Sequence, residues 1–239
     1  MNDLHVVSSG SGGNCYLLCI DEETLIIDCG IPIKKIKAAL NWDIKHVVGA
    51  ICCHAHQDHA LSINELQLLG LSVFAPYISD HGTVRKRMGG FDVTGFPLRS
   101  TDGKWLHTNN DGSECPIYGF LIRKGTFSML YMSDFRYCPF TFKRQKLTAM
   151  LIECNHVSDL LSDEEAKYSH SVFGHASLDV TKGIVAANKT ESLKVVILCH
   201  LSNGWSDEGR MAAEVKEVAG NVNVHIANAG ESYQLFPYI

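Results

Sequence analysis

Three histidines and an aspartate lie within six residues of one another, directly after an apolar run at 47–53. In an extended segment alternate side chains point the same way, so His54 and His56 share one face. Two neutral imidazoles on one face supply half of a tetrahedral metal site, and Asp58 and His59 follow closely enough to serve a second ion. The spacing therefore predicts a metal site, with solvated histidines at a polar strand end as the alternative.

Three more potential ligands or acid–base groups follow predicted strands. Asp134 comes after a strand at 127–131, Glu153 ends a strand at 149–153, and His200 follows a strand at 195–199. A metal or acid–base site assembled from distant parts of the chain needs such an arrangement at one sheet edge. Two packed sheets with helices outside, an α/β fold, fit this order.

The apolar periodicity predicts the elements that must position these residues. Strands are expected at 4–8, 15–20, 24–28, 47–53, 73–75, 117–122, 127–131, 149–153, 195–199 and 222–226, and helices at 33–40, 62–69, 78–87, 177–187 and 208–218. The Gly/Ser-rich segment 9–14 predicts a tight hairpin turn and not a phosphate-binding P-loop, because it lacks the P-loop Lys and spacing, and such a turn could still border the site. The basic cluster at 85–87 is interpreted as a solvated helix face. With no linker or repeat, residues 1–239 are expected to form one domain.

Composition limits the partners of the protein. A net charge of −5 over 239 residues argues against a basic nucleic-acid-binding stripe, although metal ions would still allow a small anionic substrate. Nine cysteines, an odd number, predict free thiols in a reducing compartment. The N-terminus has no signal-peptide pattern, and no apolar run approaches the ~20 residues of a membrane span. We therefore expect a soluble cytoplasmic protein, or one in a host cytoplasm if viral, with no membrane partner.

The segment 54–59, with Asp134 and His200 downstream, resembles the signature of the metallo-β-lactamase superfamily, and the resemblance covers nearly the whole chain. It implies an αββα sandwich, two mixed β-sheets flanked by helices, with one or two divalent ions at the sheet edge. By this resemblance His54 and His56 hold the first ion, and Asp134 bridges the pair. The second ion would be held by Asp58, His59 and His200. Zinc is the expected metal, and manganese also suits such ligands.

One further ligand to the first ion is implied by the resemblance, from the loop before the strand at 117–122. His107 is the candidate in this sequence. Relatives often place this histidine beside an aspartate, and here Asn110 stands in that place. Asn110 and Asp111 are therefore the alternatives to His107.

Glu153 and the later segment Gly174–Ser177 resemble elements of the tRNase Z-like phosphodiesterases. There the histidine, His175 here, faces the scissile phosphate and the glutamate orients it. An imidazolium can neutralise phosphate charge and protonate a leaving oxygen, and a buried carboxylate fixes its tautomer. The structural alternative for His175 is a helix N-terminal residue beside a capping Ser177.

Segments 9–15, 153–156, 174–177 and 199–202 together look closest to the YycJ (WalJ, VicX) group and the phage anti-Pycsar cyclic-nucleotide phosphodiesterases. The long arm with which tRNase Z grips tRNA has no counterpart between Asp134 and His200, so tRNA processing is not expected. The predicted function is hydrolysis of a small nucleotide phosphodiester, with a cyclic mononucleotide preferred, which in a phage would counter host cyclic-nucleotide signalling. A YycJ-like single-stranded DNA exonuclease is the first alternative, and a glyoxalase-like thioester hydrolase is the second.

The predicted mechanism uses water activated between the two ions. Asp58 would bind an ion and orient this water, and His175, held by Glu153, would assist the leaving oxygen. Ser177, Asn155 and Trp205 are the predicted substrate contacts, with Trp205, Tyr118 and Tyr137 as candidates to stack on a base. A homodimer is also expected, with a partner loop, 138–142 or 157–171, over the site.

Overall fold

Two β-sheets stacked face to face carry the potential ligands. The computed structural model describes residues 2–79, 82–109, 111–161 and 174–235. The first sheet contains β1 (Asn2–Ser8), β2 (Cys15–Ile20), β3 (Glu23–Ile27), β4 (Val47–Ile51), β5 (Val73–Phe74) and β13 (Ser232–Gln234). The second contains β6 (Val84–Met88), β7 (Phe91–Pro97), β8 (Tyr118–Lys124), β9 (Phe127–Met132), β10 (Ala149–Glu153), β11 (Val195–Cys199) and β12 (Asn223–Ile226). The spatial orders are β13-β1-β2-β3-β4-β5 and β12-β11-β10-β9-β8-β7-β6.

Each sheet mixes antiparallel and parallel strands. In the first sheet β1, β2 and β3 pair antiparallel, whereas β3, β4 and β5 pair parallel. In the second sheet β6 to β9 pair antiparallel, whereas β9 to β12 pair parallel. Parallel strands end at the same edge of a sheet, which gathers the residues that follow β9, β10 and β11.

Most of the described helices cover the outer faces of the two sheets. The helices are α1 (Ile33–Ala39), α2 (Gln57–Ala60), α3 (Ile63–Leu68), α4 (Leu178–Asn188) and α5 (Glu208–Ala219), with single 3₁₀ turns at Pro76–Ile78, Lys143–Gln145 and Ser158–Leu160. Helices α1 and α3 pack on the first sheet, and α4 and α5 on the second. The predicted α/β sandwich, two mixed sheets flanked by helices, is confirmed.

Strands β2 and β10 are apolar without alternation because both of their faces are buried. In β10, Leu151 packs between the sheets, whereas Met150 and Ile152 pack under α4 and α5. Strand β2 divides in the same way, with Leu18 between the sheets and Leu17 under the outer helices. Burial of each such side chain contributes roughly 1.5–3 kcal/mol, so the strands that carry the site are firmly anchored.

The prediction of a helix at 78–87 is wrong. The 3₁₀ turn Pro76–Ile78 ends where this segment begins, residues 80 and 81 lie outside the described residues, and β6 then pairs antiparallel with β7. Arg85 and Arg87 are exposed whereas Met88 is buried, so the period is two and not 3.6. The glycines at 89 and 90 close the hairpin, and a Gly–Gly pair between two alternating runs is a hairpin signal that outweighs the helical pattern.

Candidate metal centre

The potential ligands follow strand ends at one edge of the sandwich. The residues after β4 run through 52–56 into α2, while Asp134 and His200 follow β9 and β11. Both Asp134 and His200 have a left-handed backbone with φ of 55°, and so does Asp28 after β3. The chain therefore turns sharply where each strand stops.

The first cluster consists of His54, His56, His107 and Asp134, whose potential ligand atoms all lie within 4.8 Å of one another. The Oδ2 atom of Asp134 lies 3.6 Å from Nε2 of His54 and 3.8 Å from Nε2 of His107. Nε2 of His107 also lies 3.1 Å from Nδ1 of His56. The structure thus places His107, rather than the exposed Asp111, with the other predicted ligands of the first ion.

The second cluster consists of Asp58, His59, Asp134 and His200. Nε2 of His59 lies 3.4 Å from Oδ2 of Asp58 and 3.4 Å from Oδ1 of Asp134. Nε2 of His200 lies 3.7 Å from Oδ2 of Asp58. The two carboxylate oxygens of Asp134 therefore face different clusters, Oδ2 the first and Oδ1 the second, which is the arrangement that a bridging ligand requires.

The chemistry of both clusters fits divalent ions. Nε2 of His54 and Nε2 of His200 are buried, and neither has a hydrogen-bond partner among the described residues. A buried polar atom without a partner costs about 1–3 kcal/mol, so native structures keep few of them without a function. Imidazole and carboxylate groups are the donors that zinc and manganese accept in proteins. The residues present therefore suit a pair of such ions.

Asp28 bonds the ring nitrogen of His59 that faces away from the second cluster, a role that the sequence prediction missed. Its Oδ2 atom accepts a hydrogen bond from Nδ1 of His59 at 2.6 Å and another from the hydroxyl of Tyr131. Its Oδ1 atom accepts the backbone N–H of Cys53 at 3.0 Å. A carboxylate behind a ligand histidine fixes the ring and its tautomer, which leaves Nε2 to face the ion. The position of Asp28 at the end of an apolar strand was the available signal.

Two glycine-containing turns fix α2 against β2 and β3. The backbone N–H of Asn14 donates to the carbonyl of Asp58 at 2.7 Å. A Cβ atom on Gly30 would lie 1.7 Å from that carbonyl oxygen, so only glycine permits this approach. Ser11 and Gly12 line the cleft above the clusters, which agrees with the expectation that the Gly/Ser-rich turn borders the site.

Glu153 binds two histidines at once. Its Oε1 atom lies 2.7 Å from Nδ1 of His175 and 3.0 Å from Nδ1 of His200. Its Oε2 atom accepts the backbone N–H groups of Phe135 and Ala176, both at 3.1 Å. The carboxylate is fully buried, and both rings are held with Nδ1 toward it. The predicted Glu153–His175 pair is thus in hydrogen-bond contact, beside the second cluster.

The two clusters differ in protonation. Burial lowers the pKa of His54 well below its usual range, and it lowers the pKa of His107 to about 4. Burial alone would also lower the pKa of His200, but the negative charges of Asp134, Asp58 and Glu153 around the ring raise it to about 10. Near neutral pH His54 and His107 of the first cluster are therefore neutral, whereas His200 of the second carries a proton.

The carboxylates of the second cluster show the matching shifts. Burial alone would raise the pKa of Asp58, but the neighbouring rings of His200 and His59 hold it well below its usual range. Burial opposes ionisation of Asp134 in the same way, and the charges of His200 and His59 again outweigh it. The pKa of His59 is raised well above its usual range, against the effect of burial, by negative groups that include Asp134 and Asp28. Both carboxylates are thus ionised and available as ligands.

Bound zinc is expected to change with pH in two steps. An ion must displace protons from His59 and His200, whose pKa values are raised, but not from His54 or His107, whose pKa values are lowered. The second site should therefore strengthen as the pH rises toward about 10, the pKa of His200. Elemental analysis after dialysis at a fixed low free-zinc concentration should give about one ion per chain near pH 6 and about two near pH 9.

The control for this experiment is circular dichroism at each pH, which reports whether the chain stays folded. If both ions were lost together as the pH falls, while the chain remained folded, the assignment of different protonation states to the two clusters would be wrong.

An open cleft of about 670 Å³ lies over both clusters. Asp58, His107, Asp134, His175 and His200 line it, and the exposed Leu61 lies at its rim. None of the described lining residues is Lys or Arg. Neutralisation of an anionic substrate would therefore depend on bound ions and on the histidines.

The structure does not place the predicted substrate contacts in this cleft. Ser177 caps α4 by accepting the backbone N–H of Val180 at 3.3 Å, and Nδ2 of Asn155 donates to the carbonyl of His200 at 2.9 Å. The carbonyl of Trp205 accepts the backbone N–H of Val157 at 2.8 Å. None of the three is among the described residues that line the cleft, and their contact with a substrate stays a prediction.

The remaining candidates lie elsewhere. Asp111 accepts hydrogen bonds from Ser113 in an exposed turn, and Asn110 lies outside the described residues. Tyr118 is fully buried with its ring 5.8 Å from that of Trp105, so it is a packing residue. Tyr137 is half-buried, and its contact with a base stays a prediction.

Within the described segments, the helices are all too short or too polar to cross a bilayer.

Comparison with known proteins gives the same fold. A sequence profile of the Metallo-beta-lactamase superfamily matches residues 9–70. No curated protein matches the chain at a significant level. Among solved structures, YhfI from Bacillus subtilis is 18% identical with a TM-score of 0.67, and the alignment covers 97% of this chain and 98% of that one.

Two further solved structures are similar over almost their full length. Yeast PDE1 is 11% identical with a TM-score of 0.65, covering 96% of this chain and 98% of that one. A diphosphatase from the PhnP family is 14% identical with a TM-score of 0.57, covering 97% of this chain and 96% of that one. At these identities the similarity extends to the fold.

Proposed function

We propose that this chain, which has the metallo-β-lactamase superfamily fold, is a metal-dependent phosphodiesterase that hydrolyses a small nucleotide phosphodiester. The observation that carries the proposal is the Glu153–His175 pair, held at 2.7 Å beside two clusters that suit divalent ions. A thioester hydrolase needs no such pair, because a thiolate leaves without protonation. Hydrolysis of a phosphodiester releases an alkoxide, which is more basic and a poorer leaving group than a thiolate. An acid beside the metal centre can protonate this oxygen.

Two bound ions would lower the pKa of a water molecule and neutralise charge on the phosphate oxygens. The residues of the chain supply the rest of the chemistry. Asp58, whose pKa is held low by His200 and His59, stays ionised and can accept a hydrogen bond from the attacking water. Hydrolysis adds the oxygen of this water to phosphorus, breaks one P–O bond and delivers a proton to the leaving ribose oxygen.

His175 is the residue proposed to deliver that proton. Nδ1 of His175 is held by Glu153, so Nε2 is the ring nitrogen on the opposite side, and the residue lines the cleft. The imidazolium form of the ring can donate a proton from Nε2 while Nδ1 stays bonded to the buried carboxylate. After transfer the neutral ring keeps its Nδ1 hydrogen bond to Glu153, so no rearrangement of the ring is required.

A cyclic mononucleotide is the preferred substrate in this proposal. The cleft, about 670 Å³ in volume, suits a ligand of that size. Ala55 and Leu61 provide an apolar rim against which a base or ribose can pack. Two of the similar structures, yeast PDE1 and the diphosphatase of the PhnP family, also point to phosphate chemistry. The resemblance of short sequence segments to the anti-Pycsar group supports the same substrate, whereas their resemblance to the YycJ group supports single-stranded DNA as the alternative substrate.

The test is a substrate panel offered to the protein loaded with zinc or manganese. The panel contains 3′,5′-cyclic mononucleotides, 5′-labelled single-stranded DNA and S-lactoylglutathione as a thioester. Turnover of the cyclic mononucleotides, and its loss in Asp58→Ala purified in parallel, is the expected result. Turnover of the DNA alone would replace the cyclic mononucleotide by a DNA strand as the substrate. Turnover of the thioester alone would refute the proposed phosphodiesterase.

A further inference from the structure

We propose that the thiol of Cys53 is a positioning residue for both ion sites, which it connects by fixing the rings of His54 and His59. Sγ of Cys53 lies 3.1 Å from Nδ1 of His54 and 3.3 Å from Nδ1 of His59. It also lies 3.3 Å from Oδ2 of Asp28. The proposal rests on the candidate metal centre, but it does not depend on which substrate the protein hydrolyses.

The positions of the hydrogens follow from the role of His54. If Nε2 of the neutral ring faces an ion, the ring hydrogen must be on Nδ1. The sulfur of Cys53 is the hydrogen-bond partner of this nitrogen in the described part of the chain, so Nδ1–H donates to sulfur. The thiol hydrogen then donates to Oδ2 of Asp28. His54 is thereby connected to a buried carboxylate through one sulfur atom.

His59 reaches the same carboxylate without an intermediary. Its Nδ1–H donates to Oδ2 of Asp28 at 2.6 Å, and the sulfur of Cys53 lies against the ring edge. Since His54 belongs to the first cluster and His59 to the second, Asp28 and Cys53 together orient one ligand of each. The two rings differ in their dependence on the thiol, because only His59 also has a direct bond to Asp28.

The surroundings of Cys53 leave its side chain little freedom. The residue is fully buried between the sheets, and its backbone N–H donates to Oδ1 of Asp28 at 3.0 Å. Cys53, His54 and His59 also form a group that could itself hold an ion through sulfur and the two Nδ1 atoms. Such an ion would require His59 to give up its 2.6 Å bond to Asp28, so the positioning role is favoured.

The test compares zinc affinities rather than activity. Cys53→Ala and Cys53→Val remove the hydrogen bonds, and Val also fills the space of the thiol, so that a cavity is not the cause of any loss. Competition with a chromophoric chelator is expected to show weaker zinc binding by about 10- to 100-fold, the usual effect of removing an outer partner of a ligand. The first ion should lose more than the second, because His54 depends on the thiol alone.

Two further variants sharpen the comparison. Cys53→Ser keeps a group that accepts from His54 and donates to Asp28, so it should restore most of the affinity. Cys15→Ala deletes a sulfur from an equally buried position in a different apolar cluster, and its zinc affinity should stay within about twofold of the parent. Thermal melts of the metal-free proteins report whether each variant folds, and Cys53→Val decides the question if Cys53→Ala does not.

Two results would overturn the proposal. The first is zinc affinity in Cys53→Val equal to that of the parent, which would show that the thiol does not position the rings. The second is a sulfur-to-metal charge-transfer band in the cobalt-loaded parent that disappears in Cys53→Ser, which would make Cys53 a ligand. Neither result bears on the substrate panel, so failure here is distinguishable from failure of the proposed phosphodiesterase.

Discussion

Asp134→Asn is expected to reduce bound zinc from two ions per chain to one or none and to lower kcat/KM by more than about 100-fold, the upper value for loss of an outer partner of a ligand. The reason is that the two oxygens of Asp134 face different clusters, within 3.4 to 3.8 Å of histidine nitrogens in each. The amide keeps the shape of the side chain but provides no negative charge to share between ions. Elemental analysis and steady-state kinetics on the same preparations measure the two effects.

The matched control is Asp111→Asn, the same substitution in an exposed turn whose carboxylate bonds Ser113. It should leave zinc content and kinetics within about twofold of the parent. Two zinc ions per chain in Asp134→Asn, at the affinity of the parent, would contradict the bridging role of Asp134.

His175→Ala is expected to lower kcat for a cyclic mononucleotide by about 10²- to 10⁴-fold, the range for loss of a general acid, while two ions remain bound. His175 contributes no atom to either of the clusters assigned to the ions, so its removal should spare them. The loss should be far smaller for a phosphodiester with a p-nitrophenolate leaving group, which departs without a proton. The comparison of the two substrates therefore isolates proton donation from binding.

His225→Ala is the control for this variant. His225 is a half-buried histidine of β12 that packs against Tyr233 and lies outside the cleft. It should leave both rates near those of the parent. Equal losses for the two leaving groups in His175→Ala would show that the residue binds or orders the substrate and does not donate the proton.

The residues that could be predicted from the sequence are those placed by local geometry. Strands β2, β10 and β11 have the bounds expected from their apolar runs. Neighbouring parallel strands end at the same edge of a sheet. The proximity of Asp134, Glu153 and His200 at one edge therefore follows from the strand order. The pairing of Glu153 with His175 depended on the resemblance to known phosphodiesterases, because the two lie far apart in the chain.

The residues that the sequence left open or missed depend on tertiary contacts. His107 is placed by a loop whose register is set by a hydrogen bond from Cys115 N–H to the carbonyl of His107 and another from Arg136 N–H to the carbonyl of Leu106. Periodicity says nothing about such a loop, so Asn110 and Asp111 remained alternatives. Cys53 ends the apolar run at 47–53 and is a core residue. Its contact with two ligand rings appears only when β3, β4 and α2 are brought together.

The left-handed backbone at Asp28, Asp134 and His200 has a consequence for the stability of the fold. A residue with a side chain in this conformation gives up roughly 1–2 kcal/mol relative to the right-handed region, and a protein of this kind has only about 5–15 kcal/mol in total. Glycine at any of these positions would relieve the torsional penalty, yet it would delete the candidate ion ligand at 134 or 200, or the carboxylate behind His59 at 28. The left-handed conformation at these three positions therefore lowers the free energy of unfolding, and with it the melting temperature, in exchange for the side chains of the candidate site.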